Sequence, residues 1–411
     1  MIKKTLLALM LTGMCAACQN DESVPTMEPK TRKDIPLSRA EEKLTDESTE
    51  FAFRFFKQVN ATEQERPNWM VSPLSASLAL GMVTNGAAGN TLAEMQKTLG
   101  FSSSSLAEMN AYYQKLTAAL LDLDNTTKLG IANSIWVKQG FQLYDSFVEV
   151  NKRMYDAQVQ NLDFESPGAP DVINAWCAEK TNNCIDKVIE DIPVDARVYL
   201  LNALYFKGMW VEKFDKSNTR LEDFTNEDGS ITKVQMMNQR ETFSYTTNEF
   251  FSIAEFPYGN EAFSMVVLLP AEGKTLNECL EGLTYDNWKV WNEKRGLFSL
   301  SVKFPRFELK YKKNLIKDMQ AMGMADAFYH DKADFSAMSP AELFIGLLEQ
   351  HTFIKVDEEG TEAAAVTVIG SFETSVGPAH SVDFYIDRPF VFMIKEKSTG
   401  IILFMGKVTK L

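Results

Sequence analysis

The chain has 411 residues, 45% of them hydrophobic and 24% charged, an ordinary globular composition with room for a large core. Its 42 basic against 56 acidic residues give a formal net charge of -14, which argues against nucleic acid and anionic membrane surfaces as partners. The same sign suits a well-dispersed soluble protein, so charge alone assigns no function.

The first residues read as an export signal. Lys3 and Lys4 precede the apolar run Leu6-Leu-Ala-Leu-Met-Leu11, too short to span a membrane. The run leads to Cys15-Ala-Ala-Cys18, where small residues directly before a cysteine resemble a lipoprotein processing site with Cys18 acylated. Cys15 stands where that pattern usually has Leu. Gln19-Asn-Asp-Glu22 is similar to the acidic signal that sends some lipoproteins of the Bacteroidetes to the cell surface. The alternative is plain secretion after cleavage at Ala17. The expectation is therefore a signal peptide over 1–17 and an exported protein. It sits at a bacterial outer membrane or cell surface through an N-terminal lipid anchor, or it is secreted. Residues 18–42 are polar, carry Pro25, Pro29 and Pro36, and read as a flexible tether.

The elements follow from periodicity. Residues 47–58 put Phe51 and Phe55 on one helical face. Ser72 is a good N-cap, and Pro73 suits the first position of a helix running to Gly86. Further helices are expected over 91–99, ended by Gly100, and over 106–121. Residues 129–137 are strand-like, 172–181 helical, and 198–206 a mostly apolar run suited to a strand covered on both faces. From Thr232 onward short β-like runs dominate, at 251–256, 263–269, 298–309, 353–356, 382–385, 390–395 and 401–408. Helical stretches at 275–283, 287–294 and 314–322 separate some of them. Helices first and strands later predict an α+β fold over 43–411. Cys177 and Cys184, seven apart on a probable helix, would stand about 10 Å apart, beyond disulfide reach. With Cys279 they leave an odd number of thiols and no disulfide framework.

One stretch has no place in that order: Val356-Asp-Glu-Glu-Gly-Thr-Glu-Ala-Ala-Ala-Val-Thr-Val-Ile-Gly370. Gly360 is a pivot, and 361–369 then alternate like a strand without Pro or Gly. Thr361, Ala363, Ala365, Thr367 and Ile369 would face one way, and Glu362, Ala364, Val366 and Val368 the other. A long β-prone loop left in solvent is an aggregation hazard, so a protein that keeps one has a use for it. The thin side chains suit a strand that slides between two strands already present. Chemistry motifs are absent: the three histidines, His330, His351 and His380, show no metal-ligand spacing. No phosphate loop or nucleophile elbow occurs, and His380 beside Ser375 and Ser381 reads as a loop histidine. The expectation is no enzyme, no metal and no cofactor.

Glu358-Glu-Gly-Thr-Glu-Ala-Ala-Ala365 closely resembles the hinge of inhibitory serpins, which trap proteases by inserting this loop into their main sheet. Matches follow in order along 43–411: Asn68-Trp-Met-Val-Ser-Pro-Leu-Ser75, Ala132-Asn-Ser-Ile-Trp136, Leu201-Asn-Ala-Leu-Tyr-Phe-Lys-Gly-Met-Trp210, Phe304-Pro-Arg-Phe307 and Arg388-Pro-Phe-Val-Phe392. The resemblance implies eight or nine helices, a large central mixed sheet, two smaller sheets and an exposed reactive loop over about 358–382. It also implies a monomeric suicide-substrate inhibitor of extracellular serine proteases that forms a covalent complex with its target. Papain-like cysteine proteases are a second class, and a non-inhibitory binding or structural serpin is the alternative. Glu358, Glu359, Gly360, Thr361, Glu362, Ala363, Ala364 and Ala365 form the hinge in this resemblance. The family's spacing puts the attacked bond at Thr374–Ser375, while counting back from Pro389 lands near Pro378, so Phe372 and Val376 stay open. Small bait residues suit elastase-like pockets, and no Lys or Arg lies between Lys355 and Arg388 to suit trypsin-like ones. Ser72, Ser75, Asn202 and Gln350 match a polar cluster beneath the opening strands. Arg306 and Trp210 match the place where the loop enters, with a Glu358–Arg306 pair expected there.

Overall fold

The computed structural model describes residues 30–193, 196–361 and 381–411. Its first helix, α1 (Arg39–Thr62), starts earlier than periodicity suggested. Ser38 accepts from the Glu41 amide while the Glu41 carboxylate accepts from the Ser38 amide, a reciprocal cap that satisfies two otherwise orphaned donors. Residues 30–38, read as tether, lie against the body. Ile35 is buried, its amide donates to Ser398 Oγ at 3.0 Å, and the Lys30 amide donates to Asn125 Oδ1 at 2.8 Å. Leu37 also packs against the core and Lys30 pairs with Asp122, so a few specific contacts order a segment whose average composition is polar.

Helix α2 (Pro73–Thr84) begins at the expected Ser72 cap and is buried along nearly its whole length. Then come α3 (Gly89–Leu99), closed by Gly100 at φ +92°, and α4 (Leu106–Asp122). Helix α5 (Asp145–Tyr155) was not expected, because its inward stripe of Phe147, Asn151 and Tyr155 contains a polar residue. Helix α6 (Ala169–Lys180) stops short of Cys184, so the helical spacing assumed between the two thiols does not hold. Cys177 and Cys279 are free thiols, and burial pushes Cys177 up to about 12. The short helices α7 (Leu276–Leu280), α8 (Tyr285–Glu293) and α9 (Ile316–Ala321) complete nine among the described residues.

The strands in chain order begin with β1 (Asn68–Val71), β2 (Lys128–Lys138), β3 (Gln158–Leu162), β4 (Val198–Met209) and β5 (Arg220–Thr225). Next come β6 (Ile231–Thr247), β7 (Phe251–Tyr258), β8 (Phe263–Pro270), β9 (Gly296–Pro305) and β10 (Phe307–Asn314). The last are β11 (Glu349–Asp357), β12 (Gly360–Thr361), β13 (Val382–Tyr385), β14 (Phe390–Glu396) and β15 (Ile402–Val408). One sheet has the order β10-β11-β12-β4-β2-β3 and is mixed, because β2 and β3 are parallel. The second follows β1-β15-β14-β8-β7-β6-β9-β13, with β5 beside β6. Two small sheets were expected here. They are hydrogen-bonded into one because the 17-residue β6 pairs successively with β5, β9 and β7. The run 298–309 divides at Arg306 between the two sheets, next to Pro305, which has no amide to donate.

A buried ionic cluster ties the second sheet together. Glu255 on β7 pairs with Lys395 on β14 at 3.3 Å and with Arg295, and accepts from Ser264 Oγ on β8 at 2.5 Å. Burial pushes the Glu255 carboxyl up, but Lys395, Arg295 and Ser264 together outweigh it and hold it at about 2. Glu255→Ala should leave two buried cations uncompensated and cost about 3–5 kcal/mol, lowering the melting temperature by several degrees. Calorimetry checks this, and an unchanged midpoint would mean that the cluster is solvated.

Candidate functional site

The site is the upper end of the slot between β4 and β11. There β12 pairs antiparallel with both walls: Gly360 with Asp357 and Met209, Thr361 with Val356 and Gly208. Among the described residues these two are the only ones between the walls, and β4 and β11 are not paired with each other. Gly360 adopts φ +150°, and a Cβ there would come within 2.0 Å of the Gly208 carbonyl oxygen, so no other residue fits. Thr361 is 2% exposed, and its hydroxyl lies 2.5 Å from the Tyr258 hydroxyl. Tyr258 is itself fully buried and stacks on Trp210 at 4.4 Å.

The residues before the slot are clamped. The Trp210 amide donates to the Glu359 carbonyl at 2.9 Å, the Phe214 amide to the Glu358 carbonyl at 3.1 Å, and the Trp210 indole to the Asp357 carbonyl at 2.9 Å. The buried Glu358 carboxylate accepts from Arg306 Nε at 2.8 Å and from Thr219 Oγ1. Glu359 pairs with Lys213 at 2.9 Å and Lys216 at 3.0 Å. Burial is the largest influence on Glu358 and pushes its carboxyl up, yet the bonds from Arg306 and Thr219 together hold it below the ordinary value. Lys213 and then Lys216 hold Glu359 low.

Carboxyls depressed in the folded state stabilise this clamp above their ordinary range near ~4.3, and that stabilisation is lost as pH falls through the lowered values. The Trp210 fluorescence, obtained by difference from Trp210→Phe, should therefore be flat from about pH 7 to 5 and change below about 4. A transition inside the flat interval would contradict the clamp.

The lower cluster is only partly assembled. Ser72 and Gln350 bond reciprocally: the Ser72 amide donates to Gln350 Oε1, and Gln350 Nε2 donates to the Ser72 carbonyl, each at 2.8 Å. The Ser75 amide donates to Ser72 Oγ at 3.2 Å, and that hydroxyl donates to the Leu403 carbonyl at 2.6 Å. Asn202 does not join them. Its Nδ2 donates to Asn133 Oδ1 at 2.7 Å, and its own buried Oδ1 has no partner. Cys18, Glu362, Ala363, Ala364, Ala365, Phe372, Thr374, Ser375 and Val376 lie outside the described residues. Sequence reasoning missed Tyr258, Thr219, Lys213 and Lys216. Each acts through a tertiary contact with the hinge: Tyr258 with Thr361, Thr219 with Glu358, and both lysines with Glu359.

The family profile described as Serpin (serine protease inhibitor) matches residues 46–411. The chain is a serpin. The human leukocyte elastase inhibitor is 33% identical to it over 381 residues, 89% of this chain and 99% of that one. Iripin-3 of Ixodes ricinus is 33% identical over 384 residues, 90% and 95% of the respective chains. The crystal structure of a thermophilic serpin, tengpin, in its native state superposes with TM-score 0.82 at 31% identity, covering 94% of this chain and 98% of that one. The nine described helices and the large mixed sheets are those of the serpin fold. Serpins are typically inhibitors of target proteases.

Proposed function

We propose that this serpin is a suicide-substrate inhibitor of extracellular serine proteases with elastase-like specificity. The observation that carries the reading is the position of Gly360 and Thr361, already seated between β11 and β4 in register with both. The protease serine oxygen attacks the carbonyl carbon of the bait residue. The C–N bond to the next residue breaks, and the freed amine takes the proton from the protease's general base. The product is an acyl-enzyme ester that water would normally hydrolyse. Insertion of the freed loop carries the ester away and pulls the protease active site out of productive geometry before water completes the reaction.

The observed register sets what insertion would bring together. Each step beyond Thr361 along the loop is one step back along both walls. Glu362 falls between Lys355 and Lys207, and Ala363 between Ile354 and Phe206. Ala365 falls between Thr352 and Leu204, and Thr367 between Gln350 and Asn202, where a hydroxyl could supply the partner that Asn202 Oδ1 lacks. On insertion the inward positions would take small side chains where the walls are bulky, and the outward Glu362 would meet two lysines.

Thr374–Ser375 is the proposed bond, with Phe372 and Val376 as alternatives. The similarity to a leukocyte elastase inhibitor supports small aliphatic bait preference. Papain-like cysteine proteases are a second target class. The protein is proposed to act as a monomer, exported and held at an outer membrane through Cys18, or secreted. Incubation with pancreatic elastase, chymotrypsin and papain, with trypsin as control, followed by a denaturing gel, tests the reading. A complex that survives SDS is expected with at least elastase. Complete conversion to a cleaved, enzyme-free product with every protease would overturn it in favour of a non-inhibitory serpin.

A further inference from the structure

Leu297 is 78% exposed, the largest exposure of any large apolar side chain among the described residues, and Phe298 beside it is 44% exposed. Both stand at the start of β9. On one side they pair with Ser244 and Phe243 of β6. On the other, the parallel ladder to β13 begins only at Leu300–Val382, so Phe298 and Leu297 lie two and three positions beyond the point where the chain returns from the loop. Leaving leucine and phenylalanine in water at an open strand end is unfavourable for solubility and for the sheet edge. Phe298 is also held in place, its ring edge-on to Tyr245 at 5.5 Å. A fixed aromatic loses little freedom when it is covered, which is the property of an anchor.

We infer that the open start of β9, with Leu297 on one face of the sheet and Phe298 on the other, is a second contact surface for the protease bound to the loop. This rests on the inhibitory reading above and specifies its partner surface. The candidate bonds lie five to nine residues before Ser381, the first described residue after the loop. At 3.3–3.6 Å per residue that is a reach of no more than about 17–32 Å. A protease domain of ~230 residues has a radius of gyration of ~17 Å, the same scale as that reach, so a protease held on the loop has its body close enough to extend over the loop's base. On the Leu297 face the neighbouring side chains on β9 and β6, Ser299, Ser244 and Thr242, are uncharged. The complementary surface is therefore an apolar part of the rim around the protease active site.

The experiment takes the panel protease that forms the SDS-stable complex fastest. It measures the second-order rate of complex formation for the wild type, Leu297→Ser, Phe298→Ser and the control Phe344→Ser. Phe344 is exposed ahead of β11, at the far end of that strand from the slot. Leu297→Ser and Phe298→Ser should each slow association about five- to tenfold, with stoichiometry and final complex unchanged, and Phe344→Ser should not. Because Phe298→Ser also removes the contact with Tyr245, Leu297→Ser with a wild-type melting temperature decides the case. Wild-type association by Leu297→Ser, with the complex still forming, overturns the assignment and leaves the inhibitory reading intact. A dimer seen in sedimentation that Leu297→Ser dissolves, at an unchanged inhibition rate, gives the patch to a second copy of the chain and also overturns it. Absence of any complex from the wild type overturns both readings.

Discussion

Thr361→Arg should convert the inhibitor into an ordinary substrate. Thr361 is 2% exposed, lies between Val356 and Gly208, and touches the buried Tyr258 hydroxyl. The space opposite is closed, since even a Cβ on Gly208 would come within 2.9 Å of the Tyr258 ring. A guanidinium at this point would be buried without a counter-charge, at a cost of several kcal/mol. It would remain outside, and the first step of insertion would not occur. Cleavage itself happens in a part of the loop that the substitution does not touch, so its rate should hold. The acyl-enzyme then survives long enough to meet water. The number of inhibitor molecules consumed per protease inactivated should rise from near one to above ~10, because a barrier raised by a few kcal/mol slows insertion by two orders of magnitude or more. The SDS-stable band should give way to a cleaved product. Thr361→Ser keeps the hydroxyl and the volume and should inhibit normally. Retained complex formation by Thr361→Arg would refute insertion at this point.

Much of this arrangement was legible in the chain. The Ser72-Pro73 helix start and the 382–385 strand appear where local chemistry put them. The pivot at Gly360 could be read because its requirement is local, a glycine where no side chain fits. What was not legible depends on which strands become neighbours. The merging of the smaller sheets follows from the length and successive partners of β6. The order of residues 30–38 follows from the burial of Ile35, the packing of Leu37 and the bonds of Lys30 to Asn125 and Asp122, all with residues distant in the chain. Asn202 departs from the Ser72–Gln350 pair because it bonds its ladder neighbour Asn133 on β2, a partner set by strand pairing and not by any local pattern. The clamp around Glu358 was half legible: Arg306 was expected, whereas Thr219 comes from a turn with no periodic signature.

Cleavage within the loop, without any protease left attached, should raise the melting temperature by about 10 °C or more. The walls β4 and β11 meet a strand between them only at Gly360 and Thr361 among the described residues. A cut loop is free to complete the ladder. A dozen or so added hydrogen bonds at ~1 kcal/mol each are worth on the order of 10 kcal/mol before packing is counted. For a chain of this size each kcal/mol moves the midpoint by roughly one degree or slightly more. The uncut form is on this account held by a kinetic barrier above a more stable state, which is the condition that lets one peptide-bond cleavage drive a large displacement. Calorimetry before and after cutting, with the cut site fixed by mass spectrometry, provides the measurement. Cut Thr361→Arg is the decisive control: it has the same broken bond and the same freed loop, but the first position on the path is blocked. It should melt where the uncut protein does. If both cut proteins gained equally, the gain would come from relaxing the loop and not from a new strand. If neither gained, the energy needed to disable a protease would have to come from somewhere other than this slot.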